Sequence, residues 1–240
     1  MDYSDETADG GTTYYVSIPT LHGDPHDTAI FIPSSFHQDP SLEIILYFHG
    51  NNAKYPDIRG YIHRPNTRPL RNAVSDDGRF ALVMPFLGGS SDGSHIVSST
   101  QAFDLYLTAA VTQIVAKTTA GAGFLTSPSV SLILAAHSGG GKNMSKAITL
   151  SSGYIDRVMS SWAFDCFYEN YNQAWISWAN ANPNSTLYMY YTDLGNAEKG
   201  TMKNSLIINA GTGTNAVAVA ATSHDEIPKR HFPDLLSTVT

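Results

Sequence analysis

The chain has 240 residues and a formal net charge of -7, with 14 Lys and Arg against 21 Asp and Glu. That length supports one domain with a full core, and the lone Cys166 rules out an intramolecular disulfide framework. Hydrophobic residues at 42% and charged residues at 15% exclude a disordered chain, and an acidic balance without a basic cluster argues against nucleic acid as a partner.

In chain order, eight short apolar, β-branched or aromatic runs predict strands: Thr12 to Ile18, Ala29 to Ile32, Glu43 to Phe48, Phe80 to Pro85, Val130 to Ala136, Val158 to Phe164, Leu187 to Thr192 and Ala216 to Ala221. The first two read as an antiparallel pair joined by the Gly/Pro/Asp-rich turn Leu21 to Asp27. Helices are predicted at Ser99 to Ala120, Gly140 to Ser151, Glu169 to Asn180, Glu198 to Asn209 and, last, His231 to Val239. Strand and helix alternate, without a linker or repeat. The fold class is therefore α/β: one domain over residues 1–240, a mostly parallel twisted sheet of about eight strands, helices on both faces. No apolar run approaches the roughly 20 residues of a membrane span. The acidic, polar start from Met1 to Gly11 predicts no signal peptide, although a chain whose leader had been removed would read the same way. Two N-x-S/T triplets, at Asn143 and Asn184, lean towards secretion.

In open parallel sheets the chemistry gathers at the carboxyl ends of the strands. The run Leu132 to Ala136 leads into His137-Ser138-Gly139-Gly140-Gly141. A buried strand that meets a serine, then glycines opening a helix, is a nucleophile elbow. The residues two before and two after the serine must be small, and here they are Ala136 and Gly140. The N–H of Gly139, at the helix start, is a candidate oxyanion donor. A phosphate loop is the competing reading, but Ala136 and Asn143 stand where that motif needs Gly and a hydroxyl. A second strand ends in His49-Gly50-Asn51, where glycine lets the backbone turn an N–H inward. Asn51, through its backbone, is the candidate second donor. His224 follows the last strand, where a base for Ser138 has to stand. His231 competes with it from further along the chain.

These three segments, in this order, resemble the α/β-hydrolase superfamily, in its compact serine esterase/lipase branch. The resemblance runs from Glu43 to His224. It implies a Ser138–His224–acid triad, a structural His49 that organises the oxyanion loop, no cofactor or metal, and a small ester substrate. No long insertion follows the sixth strand, so no large cap domain is expected. Two strand-end aspartates compete for the acid. Asp193 holds the position usual in that superfamily. Asp165 has apolar neighbours, so its carboxylate needs a strong partner, as an imidazolium would be. An amidase or peptidase with the same triad, and a non-catalytic binding protein of this fold, remain alternatives. Lesser features are a His22/His26 pair read as a turn, Cys166 read as a buried thiol, a flexible loop from Leu87 to His95 lining the cleft, and Tyr168 and Tyr171 flanking the site. Oligomeric state is not legible.

Overall fold

The computed structural model describes residues 4–21, 26–36, 41–51, 55–63, 67–118, 129–192, 195–213, 215–221 and 223–239. Nine strands form one sheet: β1 Glu6–Ala8, β2 Gly11–Ile18, β3 His26–Pro33, β4 Ser41–Phe48, β5 Phe80–Pro85, β6 Ser129–His137, β7 Val158–Phe164, β8 Thr186–Thr192 and β9 Ala216–Ala221. Their spatial order is β1-β2-β3-β5-β4-β6-β7-β8-β9. The β1/β2, β2/β3 and β3/β5 pairs are antiparallel, and every later pair is parallel. The eight predicted strands all form. The ninth, β1, is three mostly polar residues, too short to show a pattern in sequence. Of the predicted turn Leu21 to Asp27, residues 22–25, and with them His22, lie outside the described residues.

Among the described residues eight helices accompany the strands: α1 Ile58–Ile62, α2 Arg68–Asp77, α3 Ser94–Val97, α4 Thr100–Lys117, α5 Gly141–Ala147, α6 Asn172–Ala181, α7 Gly195–Gly211 and, after the last strand, α8 Ile227–Leu236. Asp57 caps α1 by accepting the Gly60 N–H at 2.7 Å, and Ser99 caps α4 by accepting the Ala102 N–H at 3.1 Å. Among the described residues no helix is long and apolar enough to cross a membrane.

Strand side chains alternate between faces, so each inner strand feeds two cores. Along β6, Leu132, Leu134 and Ala136 join a core built with Phe103, Leu107 and Ile114 of α4, Met144 of α5 and Trp175 of α6. Ile133 and Ala135 point the other way, into a core with Leu70 and Val74 of α2 and Phe232 and Leu235 of α8. Covered on both faces, β4, β5 and β6 read as nearly continuous apolar runs. The connection from β7 to α6, residues 165–171, holds no inserted domain.

Candidate active site

The end of β6 fixes the centre of the site. Ser138 has φ +52°, in the left-handed region that non-glycine residues rarely adopt. A 3₁₀ turn, Ser138–Gly140, then leads into α5. The tight geometry explains the small residues around it. A Cβ on Gly140 would lie 2.1 Å from the Phe48 carbonyl oxygen, because the turn packs on the end of β4. A Cβ on Gly50 would lie 2.6 Å from Ser138 Cβ, so the loop after β4 rests directly on the serine. Ala136 is fully buried and pairs in register with Phe48 on one side and Ala163 on the other.

His49 organises that loop as expected. Its Nε2 accepts the Leu87 N–H at 2.8 Å, so the proton is on Nδ1, which donates to the Gly50 carbonyl at 2.6 Å. The fully buried ring stacks on Tyr61 with centroids 4.3 Å apart. One neutral ring thereby joins the loops after β4 and β5.

Asp165 follows β7 and also has a left-handed backbone, φ +46°. Its carboxylate is fully buried and accepts from several donors. His224 Nδ1 donates to Oδ2 at 2.8 Å, Thr192 Oγ1 to Oδ2 at 2.7 Å and the Thr192 N–H to Oδ1 at 3.2 Å. Thr201 Oγ1, from α7, donates to Oδ1 as well. Burial alone would raise this carboxyl, but the hydrogen bonds from His224, Thr201 and Thr192 outweigh it and hold it below the ordinary carboxylate range. The bond fixes the His224 tautomer: Nδ1 carries the proton and Nε2 is left with a lone pair. Asp193 lies outside the described residues.

His224 is held near the elbow from a second side. His137, the residue before Ser138, donates from Nε2 to the His224 carbonyl at 3.0 Å. The two rings lie 4.5 Å apart. His231, the competing base, sits in α8 and stacks on Tyr190 at 4.1 Å. The His137 and His224 rings and the Asp225 carboxylate bring ligand atoms within 4.8 Å of one another and could hold a divalent ion. A metal there would occupy the histidine that pairs with Asp165.

Asn51 stands over the elbow from the β4 side, with its side-chain Oδ1 accepting from Ser91 Oγ at 3.1 Å. Both side chains crowd Gly139, where a Cβ would lie 2.8 Å from Asn51 Oδ1 and 3.1 Å from Ser91 Oγ. Ser91 is buried and has φ +56°. Its carbonyl accepts from Asn143 Nδ2 at 2.7 Å, and Asn143 Oδ1 accepts the Gly93 N–H at 3.0 Å. The loop from Leu87 to His95, expected to be flexible, is therefore bolted to α5 and to Asn51, and its last residues begin α3. Ser90 lines the cavity beside Ser138, as do Tyr168 and Tyr171.

The strand order, with its antiparallel start and β5-β4 exchange, carries the elbow at the end of the central β6. Solved structures share the fold. The S-formylglutathione hydrolase of Agrobacterium tumefaciens superimposes with a TM-score of 0.59 at 14% identity, over 98% of this chain and 96% of that one. The feruloyl esterase module of Clostridium thermocellum gives 0.66 at 13% identity, over 96% and 88%. An esterase of Pyrobaculum calidifontis gives 0.54 at 13%, over 95% and 84%.

The chain has the α/β-hydrolase fold. No family model matches it, and no curated protein matches it in sequence. Within this fold several site features escaped the sequence reading. Thr192, Thr201, Ser91 and Asn143 are ordinary polar residues until the chain folds. Only Asn143 carries a signal in the sequence, and that signal points to an incomplete phosphate loop and an N-x-S/T triplet. Its side chain is buried and both amide atoms are bonded, so a glycan has no access to it. Asn184, in the other triplet, is exposed. Cys166 is buried beneath the site. Burial first, then the Asp165 charge, push its thiol well above the ordinary value, which makes it unreactive.

Proposed function

We propose that the protein is a serine hydrolase that cleaves carboxylic esters through an acyl-enzyme. The observation that carries this reading is the His224 Nδ1–Asp165 Oδ2 bond of 2.8 Å, at the strand ends beside a serine with a left-handed backbone. A buried carboxylate that fixes the tautomer of a histidine leaves its Nε2 ready to take a proton. Asp165, with four donors on it, fits the orienting acid. The esterases that share the fold agree with an ester as substrate.

In the proposed reaction Ser138 Oγ attacks the ester carbonyl carbon while its proton passes to His224 Nε2. The carbonyl π pair moves onto oxygen, facing the N–H groups of Gly139 and Asn51. Each such donor contributes about 3 kcal/mol to the transition state. Collapse of the adduct breaks the bond to the alcohol oxygen, which takes the proton from His224. Water then attacks the acyl-serine, again giving its proton to His224, and the acid is released as Ser138 regains its hydrogen.

A fluorophosphonate probe tests the proposal. It should label Ser138, and Ser138→Ala should abolish both labelling and turnover of p-nitrophenyl acetate while thermal unfolding stays within a few degrees. Turnover retained in that variant would overturn the assignment.

A further inference from the structure

A cavity of about 210 Å³ opens beside Ser138, between α5 and the 166–171 segment after β7. It shares Ser138 and Gly139 with the reaction centre. Among the described residues, none that lines it comes from the His224 loop, and His137 does not line it either. Resting on the hydrolase reading, we propose that this cavity holds the acyl group of the substrate, and that it selects short or single-ring acyl groups.

The side of the reaction centre decides which half of the ester lies there. The departing alcohol has to receive its proton from His224, so it leaves on the histidine side. The substituent on the carbonyl carbon then points elsewhere. A cavity that touches Ser138 and Gly139, but among the described residues no part of the base loop, lies on the acyl side.

Its dimensions set the size of that group. An engineered apolar cavity of about 150 Å³ holds benzene, so this one holds a single ring with small substituents, or a short chain. Phe167, Tyr168 and Tyr171 supply aromatic lining. At the rim the chemistry changes. Lys142 Nζ and Glu169 Oε1 are 3.4 Å apart, each on a side chain about half exposed. A longer chain leaves the aromatic lining there and meets a neutral ion pair and water. Inside the cavity each buried methylene should raise kcat/KM about fourfold; beyond the rim, added methylenes bury nothing further.

p-Nitrophenyl esters keep the leaving group constant and isolate the acyl preference. Specificity should climb from acetate to butyrate and benzoate, then level off, leaving laurate at least tenfold below the extrapolated rise. Tyr171→Ala enlarges the cavity and should raise laurate relative to butyrate several-fold. The ranking of a series of acetates with different alcohols should not move. Tyr168→Ala serves the same purpose if the first variant folds poorly. A specificity that climbs unbroken to laurate, or variants that reorder the alcohols and not the acids, would overturn the proposal while the hydrolase reading stands. Absence of both Ser138 labelling and turnover of any ester would overturn the two together.

Discussion

Three of the four described non-glycine residues with left-handed backbones, Ser91, Ser138 and Asp165, stand at the site. Such a conformation costs roughly 1 kcal/mol or more, and persists where surrounding contacts impose it. Ser138 is held by the loop after β4 and by the turn into α5. Asp165 is held by its four donors and by its own N–H, which donates to the Tyr190 carbonyl at 2.7 Å. For Ser91 the contacts are Asn51 and Asn143, so its strain is spent on placing Asn51 over Gly139. Removing the hydroxyl in Ser91→Ala should lower kcat about tenfold with little change in KM, because a misplaced oxyanion donor is felt in the transition state. Ser91→Gly should lose activity to the same extent yet melt higher than Ser91→Ala, since glycine accepts φ +56° without penalty. Steady-state kinetics and thermal melts on the two variants check both statements. Ser138 and Asp165 directly follow apolar strands and His224 lies three residues past one, which marks them in the sequence as candidates, as it also marks Asp193. Ser91 is not so marked, because nothing local singles out a serine for left-handed backbone.

Elements were legible where they carry a periodic apolar pattern, and lost where polar residues or proline obscure it. The helix α2, RPLRNAVSDD, turns only Leu70, Arg71 and Val74 inward and starts with Pro69, which the first turn of a helix tolerates. The apolar pattern predicts no helix there. The start of α8 was missed for the same reason, with Pro228 in its first turn and Pro233 inside. A long-range ion pair also holds α2 in place. Arg71 Nη2 meets Asp9 Oδ2 at 2.7 Å, and both side chains are only 4% exposed. Arg68 reaches the other oxygen of Asp9 at 2.8 Å. Asp9, in the β1–β2 turn, therefore ties the sheet edge to α2. Asp9→Ala should cost about 3 kcal/mol by leaving the Arg71 cation buried and unpaired. The double variant Asp9→Ala/Arg71→Met should recover most of that loss. Urea unfolding of the wild type, the single and the double variant measures both.

Across the whole molecule the two-sided core makes the α/β architecture readable, since only strands covered on both faces have reason to be apolar throughout. The antiparallel part of the sheet holds a liability to acid. His26, in β3, is largely buried, and its Nε2 has no hydrogen-bond partner among the described residues. Burial, and then the proximity of His95, push its pKa down to about 4; Asp27 and the Phe86 backbone oppose the shift. The unfolded chain takes up this proton near pH 6.5, and the folded chain only near 4. Stability from this group is therefore complete above pH 6.5 and falls as the pH drops towards 4, by at most about 1.4 kcal/mol per pH unit. His26→Gln should flatten that part of the profile. Urea midpoints at pH 7 and pH 4.5 should lie closer together in the variant than in the wild type.

The sheet ends at β9, which bonds to β8 along one side. A rim strand opens before the centre of a sheet does. His224 hangs just beyond this strand, while Ser138 is anchored at the middle of the sheet. Fraying of β9 would leave His224 held only by its bond to Asp165 and the bond from His137, with the rest of the molecule still folded. Heat is therefore expected to silence the site reversibly before it melts the protein, once those two bonds give way at the border of the sheet.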